Sequence, residues 1–505
     1  MKKRGIGIVL SYTNTFLNMI TGLFLSSFLI AQLGDDNYGV YQSVSSFVNY
    51  LVLLEFGTGT IMSRNLSACR ARGDSQEQIE KNISTIWSIA NILSVAIALV
   101  SIVLYYSLDF IYANSMTSEQ IADGKNMLVF LVIFLISNFF TQTINGIMLG
   151  YENYTYASST SIVKIALRTV LLIALLLGIK QAIVIAIVDA TLGVGLAIFG
   201  YIYATKKFKI RINFKGFDKL ILRNALPMCL AIFLQAIVNQ ANNNVGKTAI
   251  SIMISPKAVT IYSVGMYVFS IFSSLTTIPV SLYMPQVTKD VIAGNEGLDL
   301  TKKLVQPSRL IVLVSGTVMF GFFAAGKQFV SIIYGEEKMI AWYIALILML
   351  PMFINMTFAM VINVLDVKNK RLARSFIMLI TTAINIGMSI ILINWWGIIG
   401  AAISTGVCML MQVVTMNIYY SRKIGIKVFY LLFKTYKGIV LYQILGAIVG
   451  YLSGSLISNV YISFVVAGCA YVLVAFSGYF LLGTTKEEKG MLLGLINKLK
   501  RRVSK

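Results

Sequence analysis

Long apolar runs separated by short polar segments extend over the whole 505-residue chain. A run of about 20 residues is the length that an α-helix needs to cross the hydrocarbon core of a bilayer. Because lipid cannot satisfy backbone polar groups and no period-2 alternation occurs, each run is predicted to be a helix. The pattern predicts an all-α integral membrane protein with about fourteen transmembrane segments, at 6–31, 39–63, 83–107, 126–150, 155–178, 181–203, 224–254, 258–286, 308–333, 340–365, 373–394, 397–420, 438–457 and 460–482.

The first apolar run is predicted to remain in the protein. It follows Lys2, Lys3 and Arg4, as the apolar part of a signal peptide would. It is too long for that role, however, and it carries Asn14 and Asn18 and lacks a small-residue cleavage site.

The charged residues set the orientation of the segments. Of the 505 residues, 57% are hydrophobic and 12% are charged, and the net charge is +22. Lys and Arg concentrate in alternate polar segments, above all in 204–223, 422–437 and 486–505, which the positive-inside rule assigns to the cytoplasm. Both termini are therefore predicted to be cytoplasmic, with the excess charge against anionic membrane lipids and not against nucleic acid.

Missing residue types exclude several chemistries. The chain has no histidine, and its four cysteines are isolated from one another. Catalysis, proton relays and metal sites based on histidine are therefore excluded, and neither a CxxC metal site nor a disulfide framework is predicted. No P-loop is present, so no cofactor is predicted, and transport would be driven by an ion gradient or by the gradient of the substrate itself.

The chain is predicted to be an internal duplication. A shift of 221 residues places Tyr41 on Tyr262 and Asn18 on Asn239, and a shift of 216 aligns later stretches. The aligned ranges are 14–74 with 235–295, 149–158 with 365–374, and 179–187 with 395–403. Each half holds six segments, so both halves would enter the membrane in the same orientation, with a binding cavity where they face each other.

This duplication gives the predicted domain layout. The parts are an N-lobe at 1–203, a basic cytoplasmic linker at 204–223, a C-lobe at 224–420, an interfacial linker at 421–437, two further segments at 438–482, and a basic amphipathic cytoplasmic tail at 483–505. Apolar residues opposite Lys and Arg in 422–437 and 490–505 predict two helices that lie in the headgroup plane.

Three stretches also carry a family resemblance: LGDDNYGVYQ, ISPKAVTIYSVG and KNKRLARSFIMLITTAINIGMSIILINWWGIIGAAIST. They resemble the polysaccharide-biosynthesis branch of the multidrug/oligosaccharidyl-lipid/polysaccharide (MOP) exporter superfamily, the Wzx-type flippases that include O-antigen flippases. The resemblance covers essentially the whole chain and includes two extra C-terminal helices. It implies two six-helix lobes around a central cavity and alternating access.

The resemblance also implies a function. A flippase of this branch moves an isoprenoid (undecaprenyl) pyrophosphate-linked oligosaccharide across the bacterial cytoplasmic membrane for cell-surface polysaccharide synthesis. Its partners would be this lipid-linked substrate, membrane lipids, H⁺ or Na⁺, and other membrane proteins of polysaccharide assembly. The alternative is a drug or metabolite cation antiporter of the same superfamily. An enzyme is not expected, because the outer loops are short and histidine is absent.

One departure from the family concerns segment 7. Many relatives carry an acidic residue followed by a basic one in this segment, whereas this chain has ANNNVGK at 241–247. The basic residue, Lys247, is retained and an asparagine replaces the acid. Any ion-coupling role of that acid is therefore in doubt for this chain.

Two stripes of polar residues are the first candidates for a binding site. Gln235, Asn239 and Asn242 lie on one face of segment 7 with Asn243 beside them, and Asn14 and Asn18 align with the first two. Amides that face lipid cost free energy, so both stripes should face protein or water. They would bind sugar hydroxyls in a cavity or, as the alternative, join helices by hydrogen bonds.

Basic residues inside the segments are the second group of candidates. Each cation costs about 2.5–3.5 kcal/mol at the centre of a bilayer on insertion scales, so each needs a partner or water. Lys164 and Arg168, four residues apart on segment 5, could receive the pyrophosphate of the lipid, and Lys247 could line the same cavity. The alternatives are an ion pair with Asp189 on segment 6, and snorkelling of Lys247 to the outer headgroups.

The last candidates are carboxylates, for ion coupling, and helix-breaking residues, for hinges. Glu55 and Asp189 are the ion-coupling candidates, because a buried carboxylate can bind H⁺ or help to hold Na⁺; pairing with Lys or Arg is the alternative. The hinge candidates lie at equivalent places in the two halves and are Gly57, Gly59, Pro279 and Pro285. Close helix packing is the alternative for the glycines.

Overall fold

The computed structural model describes residues 2–55, 57–212, 218–368, 371–485 and 488–489. Within these ranges the chain is helical with no strand, which confirms the predicted all-α fold. The fifteen described α-helices are α1 Lys2–Leu51, α2 Thr58–Arg72, α3 Gln76–Tyr112, α4 Ser118–Gly150, α5 Tyr154–Leu176, α6 Ile183–Phe208, α7 Lys219–Met253, α8 Pro256–Ile292, α9 Gly297–Tyr334, α10 Ile340–Thr357, α11 Ala359–Val367, α12 Arg371–Tyr419, α13 Val428–Tyr436, α14 Val440–Ser455 and α15 Val460–Gly478.

The apolar helices are long enough to make this a multi-pass membrane protein. Ten helical stretches within the described ranges pass a length and hydropathy test for a membrane span, or eleven if the bent pair α13–α14 is one span. Two of the ten, Leu10–Arg72 and Arg374–Ile424, are each long enough for two crossings. Twelve of the fourteen predicted segments lie mainly on one described helix, whereas 39–63 is divided between α1 and α2 and 340–365 between α10 and α11.

Breaks inside the long helices fall at aligned places of the predicted duplication. Within α1 the backbone leaves the helical region at Gly34, whose φ is 77°. The 221-residue shift places Gly34 on Ser255, which lies between α7 and α8. Likewise α12 breaks at Gly397, with a φ of 56°, and the 216-residue shift places this glycine on Gln181 between α5 and α6.

The contacts divide the chain into two compact units. The first unit comprises Met1–Ser263 and Thr382–Ala401, and the second comprises Val264–Thr381 and Ala402–Lys505. The central part of α12, Thr382–Ala401, thus belongs to the first unit and both ends of this helix to the second, and α8 is divided between the two. The predicted lobe boundaries and the symmetry axis remain predictions.

In the first unit, helices pack closely where small residues meet. A Cβ atom on Gly59 of α2 would lie 2.5 Å from the backbone oxygen of Gln142 on α4, so no larger residue fits there. The adjacent Thr58 and Thr143 hydroxyls are 3.1 Å apart and hydrogen-bonded. Close approach through small residues is how membrane helices gain van der Waals contact.

The two stretches that the 221-residue shift aligns also contact each other. A Cβ atom on Gly39 in α1 would overlap the backbone of Pro256 at the start of α8. Close by, the hydroxyl of Thr260 donates to the backbone oxygen of Asp35 at 2.7 Å. The part of α1 that follows Gly34 and the start of α8 are therefore in direct contact, through a close backbone approach and a side-chain-to-backbone hydrogen bond.

In the second unit, α9 packs against the two extra helices α14 and α15. The amide of Gln443 on α14 donates to the backbone oxygen of Leu313 on α9 at 3.0 Å. Gly450 of α14 lies against the backbone oxygen of Ala467 on α15, 2.7 Å from where a Cβ atom would be. The extra helices are thus part of the core of this unit.

A buried arginine joins three segments of the second unit. Arg309 on α9 donates to both carboxylate oxygens of Glu488, at 2.7 and 3.1 Å. It also donates to the backbone oxygens of Lys434 at 3.1 Å, Lys437 at 2.7 Å and Gly483 at 2.9 Å. These bonds tie α9 to the end of α13 and to the segment that follows α15.

The predicted interfacial helix in 422–437 corresponds to α13, Val428–Tyr436. Leu431 of this helix is fully buried against α9 and α11, whereas Phe429 is 88% exposed. A helix with one apolar side packed on protein and aromatic groups on the outside suits the headgroup region. The second predicted interfacial helix, 490–505, lies outside the described residues.

Candidate functional site

Arg168 and Asp189 form an ion pair inside the first unit. Arg168 lies on α5 and Asp189 on α6, two consecutive helices joined by a tight turn. The Nε and Nη2 atoms of Arg168 donate to the two carboxylate oxygens of Asp189 at 2.5 and 2.9 Å. The structure therefore forms the ion pair that the sequence offered as the alternative to a phosphate site. The Asp189 side chain is 7% exposed and that of Arg168 is 29% exposed, and the Nη1 atom of Arg168 makes no hydrogen bond to another described residue.

Lys164, one helical turn before Arg168, has no carboxylate partner. Its ammonium nitrogen lies 4.6 Å from the centre of the Phe134 ring on α4, a cation–π contact. Among the described residues no acidic group lies within salt-bridge distance of it. The Phe134 ring is thus the direct contact of this ammonium group, and Asp189 attracts its charge from a longer distance.

Lys247 of α7 points towards α1 and is likewise without a carboxylate partner among the described residues. Its ammonium donates to Oε1 of Gln42 across 3.4 Å, and the amide of Gln42 donates to the hydroxyl of Tyr38 at 2.7 Å. Gln42 therefore connects this lysine to the aromatic residues of α1. The cation is directed into the first unit by this contact.

A polar cavity of about 280 Å³ lies between α1, α4 and α6 of the first unit. Six of its eleven lining residues carry polar side chains. The polar residues are Tyr41, Gln42, Ser45, Asn49, Asn138 and Asp189. Asp189 thus joins the ion pair to the cavity, while Phe134 and Gln42, which also line it, contact Lys164 and Lys247.

The amide stripes are only partly described. Asn18 and Asn239 are exposed, whereas Asn14 is half-buried, and its Oδ1 atom has no hydrogen-bond partner among the described residues. Asn242 is half-buried and Asn243 exposed. The side chain of Gln235 lies outside the described ones. None of the described side chains of the stripes lines the polar cavity, and the substrate role of the stripes remains a prediction.

Glu55 ends a short 3₁₀ turn, Val52–Glu55, that interrupts the second predicted segment. Two residues later Gly57 adopts the left-handed conformation, with a φ of 70°, before α2 begins. The half-buried carboxylate of Glu55 has no hydrogen bond or ion pair with another described residue. Glu55 lies at a break in a membrane helix and therefore remains a candidate for ion coupling.

The hinge candidates differ in their surroundings. Gly57 occupies a backbone conformation that L-residues rarely adopt, whereas Gly59 packs against α4 as described above. Pro279 and Pro285 lie within α8, which continues through both. Whether any of them acts as a hinge remains a prediction.

Sequence reasoning missed five polar lining residues of this cavity: Tyr41 and Gln42 as site residues, and Ser45, Asn49 and Asn138 altogether. The available signal was a single amide within an apolar run, as in FVNY and LISNFF. Such an amide costs free energy unless protein, water or a ligand satisfies it. Without the helical spacing of a stripe, however, it does not reveal which helices it faces.

Known structures share this fold. The lipid II flippase MurJ in an inward closed conformation is 16% identical, with a TM-score of 0.70, and the match covers 94% of this chain and 98% of that one. An inward-facing MATE multidrug resistance transporter of the MOP superfamily is 14% identical, with a TM-score of 0.58. The match covers 83% of this chain and 95% of that one. A Vibrio cholerae MATE transporter is 12% identical, with a TM-score of 0.53, and covers 85% and 99%. The fold is thus that of MOP-superfamily membrane transporters.

The family match is more specific than the fold. The family described as "Polysaccharide biosynthesis protein" matches residues 5–290, more than half of the chain. The protein belongs to this family, and the resemblance noted in the sequence is confirmed. A search of curated proteins finds no match.

Proposed function

We propose that this protein is a flippase that moves isoprenoid pyrophosphate-linked oligosaccharide repeat units across the bacterial cytoplasmic membrane. The support is its membership of the polysaccharide biosynthesis family, together with a fold shared with a lipid II flippase. The substrate combines a sugar part that needs polar groups, a diphosphate that needs cations and a lipid tail that can remain in the bilayer. Movement would follow alternating access, with both termini in the cytoplasm.

The observation that carries the proposal is the surplus of positive charge in the first unit. Arg168 neutralises Asp189, which leaves Lys164 and Lys247 without a carboxylate partner among the described residues. Ammonium groups without a carboxylate partner cost free energy within membrane helices, so they indicate a candidate site for an anionic ligand. A diphosphate supplies concentrated negative charge and several acceptor oxygens for such groups. A cationic drug would be repelled by the same charges.

A translocation assay in proteoliposomes tests the proposal. Purified full-length protein is reconstituted with an undecaprenyl diphosphate oligosaccharide, and the fraction reached by an enzyme that acts only outside the vesicle is followed with time. Protein-dependent translocation is expected, and a protein-free vesicle is the control. Export of a cationic dye without movement of the lipid would instead favour the antiporter and overturn the flippase proposal.

Glu55 is proposed to couple an ion gradient to this movement. We expect Glu55→Gln to remove any stimulation of translocation by a pH or Na⁺ gradient while translocation without a gradient continues, because the amide binds neither a proton nor a cation as a carboxylate does. Glu119→Gln, which changes an exposed carboxylate at the start of α4, is the matched control. Unchanged gradient stimulation in Glu55→Gln would remove this residue from the coupling mechanism.

A further inference from the structure

The polar cavity of the first unit differs in character from two larger cavities among the described residues. Cavities of about 620 Å³ and 580 Å³ are lined almost wholly by apolar side chains. The polar cavity is smaller, about 280 Å³, and is lined by a carboxylate, three amides, a hydroxyl and a phenol. Ligand sites combine apolar walls with a few converging polar groups, and this cavity has that composition.

Three helices each direct one strongly polar side chain to the cavity. These are Asn49 from α1, Asn138 from α4 and Asp189 from α6. Neither asparagine makes a hydrogen bond to another described residue, although each amide offers two donor hydrogens and one acceptor oxygen. Leaving such groups unpaired in a membrane helix is costly, so the cavity is built for water or a polar ligand.

Asp189 retains acceptor capacity although it is paired. Arg168 donates one hydrogen bond to each carboxylate oxygen. An ionised carboxylate has about four lone-pair sites, so roughly two remain for a ligand hydroxyl or amide. Arg168 meanwhile fixes the orientation of the carboxylate through its two-pronged contact.

The size and polarity of the cavity favour one sugar ring. Its volume equals roughly nine water molecules at about 30 Å³ each, which is room for a single pyranose and not for an extended chain. Because Asp189 already places a carboxylate on the wall, hydroxyl and acetamido groups fit it better than a second carboxylate would. Tyr41 and Phe134 add aromatic surface for the apolar face of a ring.

We propose that Asn49, Asn138 and Asp189 form a subsite for one neutral or N-acetylated pyranose ring of the transported glycolipid. The proposal rests on the flippase function and adds a specific contact for the sugar, separate from cations that would hold the diphosphate. In this arrangement the asparagines donate to ring hydroxyls and Asp189 accepts from them. The subsite would let the protein distinguish a glycosylated lipid from the bare carrier.

A binding comparison tests the subsite with the full-length protein in detergent. The probes are undecaprenyl diphosphate and the same lipid bearing a single N-acetylglucosamine, N-acetylgalactosamine or glucose. The wild type is expected to bind at least one glycosylated probe more tightly than the bare carrier. Asn138→Ala is expected to weaken binding of that probe about five- to tenfold, the effect of one lost hydrogen bond, and to leave the affinity for the bare carrier unchanged.

Asn145→Ala is the matched control. Asn145 lies on the same helix as Asn138, two turns further on, outside the cavity, and donates to Gln142 at 3.4 Å. Its substitution should leave both affinities as in the wild type. Asn49→Ala, on a different helix, is a second test in case Asn138→Ala fails to fold.

The outcomes separate the subsite from the flippase function. If the wild type prefers a glycosylated probe and both asparagine variants keep that preference, the subsite is wrong and the flippase function stands. If the wild type binds all probes equally, the sugar contact does not exist. If it binds neither the carrier nor any glycosylated probe, the flippase function itself is overturned.

Discussion

Two arginine–carboxylate pairs, one in each unit, use the same two-pronged contact in opposite surroundings. Arg309 is 5% exposed at its side chain and makes three further hydrogen bonds to backbone oxygens besides its two to Glu488. Arg168 is 29% exposed and has as its hydrogen-bond partner Asp189, which lines a polar cavity. Two lysines that contact other lining residues of this cavity have no carboxylate partner among the described residues. A saturated pair can only hold segments together, whereas a pair with free capacity can also meet a ligand.

Arg309→Met should have the largest effect on stability. It would leave a carboxylate and three backbone oxygens buried without their donor, and breaking a buried ion pair on one side costs about 3–5 kcal/mol. We expect lower thermal stability of the purified protein and poor accumulation in the membrane. Arg309→Lys should recover only part of the loss, because one ammonium cannot reach all these acceptors. Wild-type unfolding of Arg309→Met would show that this cluster does not hold the unit together.

Arg168→Ala should instead reduce transport more than stability. Because Arg168 is partly exposed and pairs with Asp189, which lines the polar cavity, the proposed function predicts at least a tenfold lower translocation rate, with the protein still inserted and monodisperse in detergent. Arg72→Ala, which breaks an exposed pair with Asp74 on the loop after α2, is the control and should transport normally.

An exchange of the two charges sharpens this result. The double variant Arg168→Asp, Asp189→Arg keeps an ion pair between α5 and α6 but reverses the group that faces the cavity. If the pair is only structural, the exchange should restore much of the lost transport. If Arg168 and Asp189 also contact the substrate, transport should stay low although stability recovers.

Lys247→Ala tests the role of the Lys247 ammonium group, which contacts the polar cavity through Gln42. Loss of an ammonium that binds diphosphate should raise the KM for the lipid-linked substrate about tenfold, the lower end of the range for one charge-assisted hydrogen bond. Initial rates of translocation at several substrate densities give this KM. Lys257→Ala, at the start of α8 and outside the cavity, is the control. Wild-type KM and rate in Lys247→Ala would favour the snorkelling alternative.

The sequence predicted the helices well and the partners of its charges less well. Segment positions follow from the lengths of apolar runs, a local property, and the break at Gly34 lies in the polar stretch that separates two runs. The pair Arg168–Asp189 was foreseeable as an alternative because consecutive segments are neighbours in space. The Arg309 cluster was missed because its partners are 125–179 residues away in the chain, and the lone amides Asn49 and Asn138 carry no periodic signal.

The smallest expected effect concerns the pH dependence of the Arg309–Glu488 ion pair. Glu488 lies outside the membrane segments. Burial alone would raise the pKa of its carboxyl group. Hydrogen bonds from Arg309 and from the backbone N–H of Thr485 have the larger effect, so the pKa is lowered overall. A lowered pKa in the folded state stabilises the protein above the ordinary range for glutamate, and this contribution is lost as the pH falls through the folded-state pKa. Acidification from pH 6 to below pH 4 should therefore lower the unfolding temperature of the wild type by about 2–4 °C more than that of Glu488→Gln. Thermal unfolding in detergent gives the acid sensitivity of the two proteins. Equal sensitivity would show that the Glu488 carboxylate contributes nothing to the stability of the second unit. The contrast between the Arg309 and Arg168 pairs would then depend on Arg309 and its backbone acceptors alone.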